Sequence, residues 1–459
     1  MIRVSAAAQS LIVLMFLLVP QAFANEMATP APAPDTTVVA TGGGDGQSIT
    51  LQEAVKESLL RRPTLKAAEQ SVLLSKAQIG ASRSGYLPTL QASYSDTVGN
   101  SIFGFFLIPG YEYANYNLLT VALTQTVWDF GRVHSQMRQS RHQLGAAEAV
   151  RRREAQTVIR DVETAYYNLL KAQHRVLSSR QSVVDAASHL AEARARLSAG
   201  VGLRLDVTQS KVNLESARLD LIHEETLRRK AQVDLGRAIG FRHKRPFVAV
   251  SPGEPERIPS FPDGSALDRL IAAHPEIQAD NESVRQKKAA LDSAKDQNYP
   301  SITGNAQYYL AQISVPLFGS PTQPFSTVNV GGVLNIPIFS GGLATSQIHE
   351  ARADMRRTMH QAEDDRLRIL ASIRDSALDV QEDEERLRES ETALENAEEN
   401  DRQVEAAYRA GTAHSVDAID AETALRRARV DVDSARFDLM SAVVAYRFAL
   451  GTLTSPSAP

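Results

Sequence analysis

The chain can be laid on itself. Residues 61–78, RRPTLKAAEQSVLLSKAQ, match residues 273–290, AHPEIQADNESVRQKKAA, at an offset of 212, with Pro63 over Pro275 and Ser71–Val72 over Ser283–Val284. The same offset puts Pro88 over Pro300. Further on, VWDFGRVHSQ (127–136) lies over IFSGGLATSQ (338–347) at an offset of 211, which then holds to the closing glycines Gly240 and Gly451. One indel in roughly 190 residues marks an internal duplication. A chain of 459 residues is long enough for two or three ordinary domains, but a duplication of this extent predicts one architecture built twice.

The copies span 50–240 and 265–451, joined by the proline-rich linker 241–264 and followed by a tail at 452–459. Each opens with a helix of about 35 residues (50–84 and 265–297), the first behind the capping-box pattern TLQE at 50–53. Two extended stretches follow, predicting β-hairpins near 85–128 and 299–339. Then comes a polar, Ala-rich helical run of 69 residues (131–199 and 342–410), which at 1.5 Å per residue is ~104 Å long. A turn with an Ala-Gly pair (Ala199–Gly200, Ala410–Gly411) leads into a second helix of about 35 residues. Two half-length helices end to end match the long one.

The helix after each turn carries two apolar seams. Leu205, Val212, Leu219, Thr226 and Val233 recur every seven residues, as do Val416, Thr423, Val430, Phe437 and Val444. A second series runs through Leu214, Leu221 and Leu235, and in the other copy through Leu425, Val432, Leu439 and Tyr446. The two series are offset by two positions, about 200° around a helix. Such a helix has neighbours on both flanks, as in a ring of helices; one helix of an ordinary bundle is the alternative.

The extended stretches alternate. Ile302, Gly304, Ala306, Tyr308 and Leu310 take one side and Ser301, Thr303, Asn305 and Gln307 the other; Val328, Val330, Leu334 and Ile336 alternate with Thr327, Asn329 and Asn335, and Leu119, Val121 and Leu123 with Thr120 and Thr124. Strands of this length and pattern suit a transmembrane barrel or a half-buried soluble sheet. The apolar stretch 101–116 between the first two strands reads as a loop packed against something.

The start of the chain bears on the compartment. Arg3, the run LIVLMFLLV (11–19) and the small residues AFA (22–24) predict a signal peptide over 1–24 rather than an N-terminal anchor. Residues 25–49, rich in Pro, Ala, Gly and Thr, predict a flexible segment. No later stretch approaches the ~18 apolar residues of a membrane helix, so a membrane role has to come from strands. Four strands per chain are too few for a membrane barrel, whose smallest form has eight, and open strand edges are prohibitive in lipid. A barrel then requires a closed ring of at least two chains, and three would give twelve strands.

Other function classes find little support. A net charge of −4 argues against nucleic acid, and the absence of cysteine excludes disulfides, thiolate chemistry and a lipidated N-terminal cysteine. The ten histidines are scattered with no HExxH pattern, so neither an enzyme nor a cofactor or metal site is expected. RRR (151–153) and EDEE (382–385) read as solvated helix faces.

RRPTL and AHPEI opening the copies, WDFG and FSGG entering the long helices, and AYRAGTAHSVDAIDAETALRRA at 407–428 together resemble the TolC family of outer-membrane efflux proteins, over essentially all of Thr50–Leu453. The resemblance implies a mainly α chain with a membrane β part: a homotrimer whose twelve-strand barrel in the outer membrane continues into a periplasmic α-helical barrel. It implies a passive channel of an efflux or type I secretion system, partnered by a periplasmic adaptor and an inner-membrane transporter of RND or ABC type. The two turns become the periplasmic tip, with Gly200, Gly411, Ala413 and His414 in the tip turns that meet the adaptor. Asp417 and Asp420 align with aspartates ringing the closed tip. Tyr408 aligns with a gate tyrosine, and Asp206 with its partner on the neighbouring subunit. Ala413 stands where the family pattern has an arginine, which removes a salt-bridge lock from the expected gate, and His414 could add pH sensitivity. The alternative is a periplasmic or surface coiled-coil scaffold without a pore.

Overall fold

The computed structural model describes residues 47–99, 114–241, 247–251, 261–262, 264–314, 324–410, 412–413 and 415–454. The signal peptide, residues 25–46, the loop residues 101–113, parts of the linker, Gly411, His414 and residues 455–459 lie outside the described residues.

One order of elements occurs twice. The first pass runs β1 (Gln47–Ile49), α1 (Leu51–Arg61), α2 (Pro63–Arg83), β2 (Thr89–Gly99), β3 (Ala114–Trp128), α3 (Arg132–Ser198) and α4 (Arg204–Ile239). The second runs β4 (Phe247–Ala249), α5 (Gly264–Ala273), α6 (Pro275–Asp296), β5 (Ser301–Ser314), β6 (Phe325–Asn335), α7 (Leu343–Arg409) and α8 (Ser415–Ala449).

The opening helix of each copy, expected as one piece, is two. Arg62 and His274 sit at ψ 120° and 129°, in extended conformation, immediately before Pro63 and Pro275. The proline ring disfavours helical geometry in the residue before it, and proline is welcome at the first helical position. The break is used: Arg62 donates from Nη1 to the carbonyls of Arg237 (2.7 Å) and Ala238 (3.1 Å) near the end of α4. Thr50 and Glu53 form the expected reciprocal cap at the start of α1.

Segments read as flexible N-terminus and linker also carry structure. β1 and β4 pair in parallel, Gln47 beside Phe247 through Ile49 beside Ala249. Side chains hold their backbone: Gln173 donates to and accepts from Ala249 (3.0 and 2.9 Å), and Gln232 donates to the Phe247 carbonyl (2.8 Å). The fully buried Tyr166 hydroxyl lies 2.6 Å from the Val250 carbonyl and accepts the Val250 N–H at 3.0 Å. Around this sheet Val55, Ile159, Val162, Leu169, Leu170, Leu235, Ile239, Phe437, Met440 and Val444 form one apolar core. A second core joins Ile271, Ile277, Ile369, Ile373, Val380, Leu439, Val443 and Tyr446.

The long helices pack in the order α4–α3–α8–α7, which leaves α4 and α7 at the two ends. The seams fare differently in the two copies. On α8 both are covered within the chain above Val430, where Phe437 and Val444 are buried on one flank and Leu439 and Tyr446 on the other. On α4 one seam is covered at Leu214 and Leu235, while Leu205, Val212, Leu219 and Val233 stay 60–70% exposed. Half of the two-flanked pattern therefore has no partner inside one protomer.

Candidate functional site: the sheet face and the hairpin tips

β2, β3, β5 and β6 form an antiparallel sheet in that order. The register sorts the side chains. Leu90, Ala92 and Tyr94 pair with Leu123, Val121 and Leu119; these pair onward with Ala306, Tyr308 and Leu310; Ile302, Ala306 and Tyr308 then meet Leu334, Val330 and Val328. Successive residues of a strand point to opposite faces, so these side chains share one apolar face across all four strands. The opposite face carries Thr89, Gln91, Ser93, Thr120, Thr124, Thr303, Asn305, Gln307, Thr327 and Asn329. The apolar face is uncovered within the protomer, with Tyr94 66% and Val330 79% exposed. The outer edges of β2 and β6 pair with nothing among the described residues. At the junction with the helices, exposed Trp128 and Phe130 meet edge to face at 5.9 Å, and Phe130 stacks on Tyr299 at 6.0 Å, an aromatic cluster of the kind found at membrane–water boundaries. Asp129 shapes this corner by accepting from the backbone N–H of Gly131 and Val133.

At the far end of the long helices, Gly200 takes φ +77°, and the N–H groups of Val201 and Gly202 both donate to the Arg196 carbonyl (3.1 and 3.0 Å). A Cβ at Gly202 would stand 2.8 Å from the Leu197 nitrogen, so this tight reversal requires glycine at both positions. In the other turn Thr412 and Ala413 donate their N–H to the Ala407 carbonyl at 3.0 and 3.3 Å. Asp206 caps its own helix, accepting the Leu203 N–H at 3.3 Å. Asp417 lies in the first turn of α8 and is exposed, as is Asp420 one turn on. Asp206 and Tyr408 are not joined by a hydrogen bond within the protomer.

Tyr408 meets a residue that the sequence reading missed. The Arg196 guanidinium of α3 lies 4.3 Å from the centre of the Tyr408 ring on α7 while pairing with Glu192 at 2.8 Å. Seven residues before Arg196, His189 Nε2 bonds Glu422 of α8 at 2.6 Å. That hydrogen bond raises the His189 pKa above 6.5 against the opposing effect of burial, with Glu422, Glu192 and Asp185 adding attraction. Burial pushes the carboxyl of nearby Asp401 on α7 up, helped by Glu405 and Glu422. His189, Glu422 and Asp420 line a polar cavity of about 480 Å³ between α3, α4 and α8. The repeat itself held the signal: 211 residues on, His189 becomes Asn400 and Arg196 becomes Ala407, and Glu422 stands over Lys211.

Among the described residues no cluster of His, Asp and Glu could hold a metal, and no helix is long and apolar enough to cross a membrane. Long helical hairpins set below a sheet with one continuous apolar face define a class of outer-membrane channel proteins. The comparisons agree. The profile of the outer membrane efflux proteins matches residues 54–241 and again 266–452, and the chain belongs to that family. Protein CyaE of Bordetella pertussis is 25% identical over 67% of this chain, which spans just under two thirds (64%) of CyaE. Outer membrane protein TolC of Escherichia coli is 24% identical over 89% of this chain and 83% of its own length. The crystal structure of CusC superposes with a TM-score of 0.77 at 16% identity, covering 90% of this chain and 95% of CusC, which supports the fold. The protein is accordingly an outer-membrane family member with a periplasmic helical part, and not an enzyme.

Proposed function

We propose that three copies close into one passive conduit from periplasm to exterior, gated at the hairpin tips. The observation that carries this reading is the apolar face that runs in register across four strands and ends in two unpaired edges. In lipid, unpaired backbone groups are too costly to leave open, so neighbouring copies supply the missing strands. Three copies, the number the resemblance implies, give a twelve-strand barrel with its polar face inward. The uncovered seam of α4 and the free flank of α7, at opposite ends of the helix order, supply the matching contact below the membrane. A pore-less scaffold has no use for the apolar sheet.

The tip closes the conduit, and Asp417 and Asp420 become two rings of carboxylates around its axis, where they attract cations. An adaptor docks on the tip turns, and an inner-membrane transporter of RND or ABC type drives efflux or type I secretion. Planar-bilayer recording tests the reading. Purified wild type is expected to give low-conductance, cation-selective openings, with selectivity weakened in Asp417→Ala/Asp420→Ala. A protein that inserts no channel refutes the conduit; unchanged selectivity removes the aspartates from the permeation path.

A further inference from the structure

We infer that Arg196 and His189 are positioning residues of the gate: within each protomer the first hairpin grips the second at Tyr408 and Glu422, and the tip opens when both grips release. The inference rests on the gated-conduit reading and adds the part that decides when the gate moves.

The argument begins with where the core ends. Neither apolar core contains a residue of α8 before Phe437 or of α3 after Leu170. Toward the tip, a thinner set of apolar residues is buried, with Ala421, Leu425, Ala428 and Val432 on α8 and Val176, Leu190 and Ala193 on α3. The two hairpins are fixed to each other above by packed Phe437, Met440 and Val444. Polar ties begin at that level with Lys171–Asp438 at 2.7 Å and continue toward the tip with His174–Asp433 at 3.0 Å and last His189–Glu422 at 2.6 Å. Arg196 over Tyr408 lies beyond all of them, two residues before the end of α3. Polar ties over this thinner layer, which neither core extends into, can be broken without unfolding the helices. They therefore make a hinge with a releasable end.

The Arg196 contact also answers a gap in the sequence. Ala413 removes the arginine expected in the second turn, and Arg196 brings a guanidinium to the gate tyrosine from the first hairpin instead. The Tyr408 ring and the Glu192 carboxylate, which accepts from Nε and Nη2, together hold that group in place.

The histidine gives the latch a pH window. On its own helix His189 is near Asp185 and Glu192; α8 presents Glu422, Asp420, Asp431, Arg426 and Arg427; α7 presents Asp401; and α4 presents Asp220 across the cavity. The Glu422 hydrogen bond, with the carboxylates that dominate this set, favours the protonated imidazole more in the latched tip than in the free side chain, so the pKa is raised. A base whose pKa is higher latched than free adds holding strength that is complete below the free value near 6.5 and is lost as pH rises through the latched value. The tip is thus held tighter in mildly acidic periplasm and released toward alkaline pH.

The test uses the full chain in detergent. Because the chain has no cysteine, S198C and Q403C can carry spin labels on the two hairpins, with labelled chain diluted into unlabelled rings. Pulsed-EPR distances are read from pH 5.5 to 8.5 beside single-channel conductance. The separated population is expected to grow several-fold across that range in wild type. His189→Asn and Glu422→Gln should flatten the response, Arg196→Ala should raise the separated population at every pH, and Arg196→Lys should restore part of it. Equal thermal midpoints show that the variants still fold; where Arg196→Ala fails this check, the His189→Asn pH profile decides. A pH response that survives in His189→Asn but vanishes in Asp417→Asn/Asp420→Asn overturns the latch. A normal latch response in a protein that conducts nothing would instead count against the conduit.

Discussion

Leu219→Ala is the substitution that most directly questions how protomers meet. Leu219 sits on the α4 seam and is 67% exposed in the single chain. Full burial of a leucine contributes about 1.5–3 kcal/mol, so covering the remaining two thirds on ring closure adds about 1–2 kcal/mol at this position. Alanine keeps roughly a third of that area, which sets the loss at about 1 kcal/mol per seam. A three-membered ring contains three such seams, so the ring loses about 3 kcal/mol, roughly a hundredfold in its tendency to dissociate. Val212→Ala/Leu219→Ala should bring the loss to about 5 kcal/mol. The assay is dissociation of the detergent-solubilised ring on dilution, followed by sedimentation velocity. The comparison is Leu235→Ala, whose side chain is fully buried inside the protomer and whose loss should cost about 2–5 kcal/mol of the protomer's own stability. If Leu219→Ala rings hold together as wild type does, α4 does not meet its neighbour along this seam. If Leu219→Ala instead lowers protomer stability as Leu235→Ala does, the seam is already covered and the ring argument loses its main helical contact.

The remaining predictions concern the region around the small sheet. Tyr166→Phe removes a buried hydroxyl that bonds the Val250 carbonyl, while the Val250 N–H keeps the Ile49 carbonyl at 3.3 Å; a loss of about 0.5–1.5 kcal/mol is expected in urea unfolding, and no loss would mean that water replaces the hydroxyl. His274 is buried beside Arg153, and burial with that charge lowers its pKa to about 4, whereas burial with Asp365 and Glu276 nearby raises Asp280 to about 6. Acidification from 6.5 toward 4 therefore costs stability through His274, which the unfolded chain protonates first. Over 6 to 3.8 acidification returns stability through Asp280, which the folded chain protonates first. The two offset each other in wild type, so Asp280→Asn should steepen the acid-side fall in thermal midpoint, and His274→Asn should reverse its sign between pH 4 and 6.

The long elements were legible because their signals are long. Both 67-residue helices begin just after a positive-φ glycine and end within a residue or two of an Ala-Gly pair, so an uninterrupted pattern with marked ends left little freedom. The breaks at Arg62 and His274 were written in the prolines that follow, but apolar periodicity carries across them and hides them. β1 and β4 have three residues each, too short for any alternation to register, and side chains from helices more than 70 residues away hold the backbone beside them at Ala249 and Val250. At the tip the aspartates stood out as a repeated local spacing. His189 and Glu422 lie 233 residues apart, and no local pattern joins them. They are visible only where the two copies depart from each other.

The unpaired edges of β2 and β6 also carry a genetic consequence. In the proposed ring of three, each chain contributes a third of the wall, and a faulty one cannot be ignored by its neighbours in the way a faulty monomer can. Where a strand-damaged allele that still oligomerises is expressed equally with the normal one, random assembly leaves about one ring in eight wholly intact. Such alleles should behave as dominant, whereas a deletion of the same gene, which merely dilutes good chains, should be recessive.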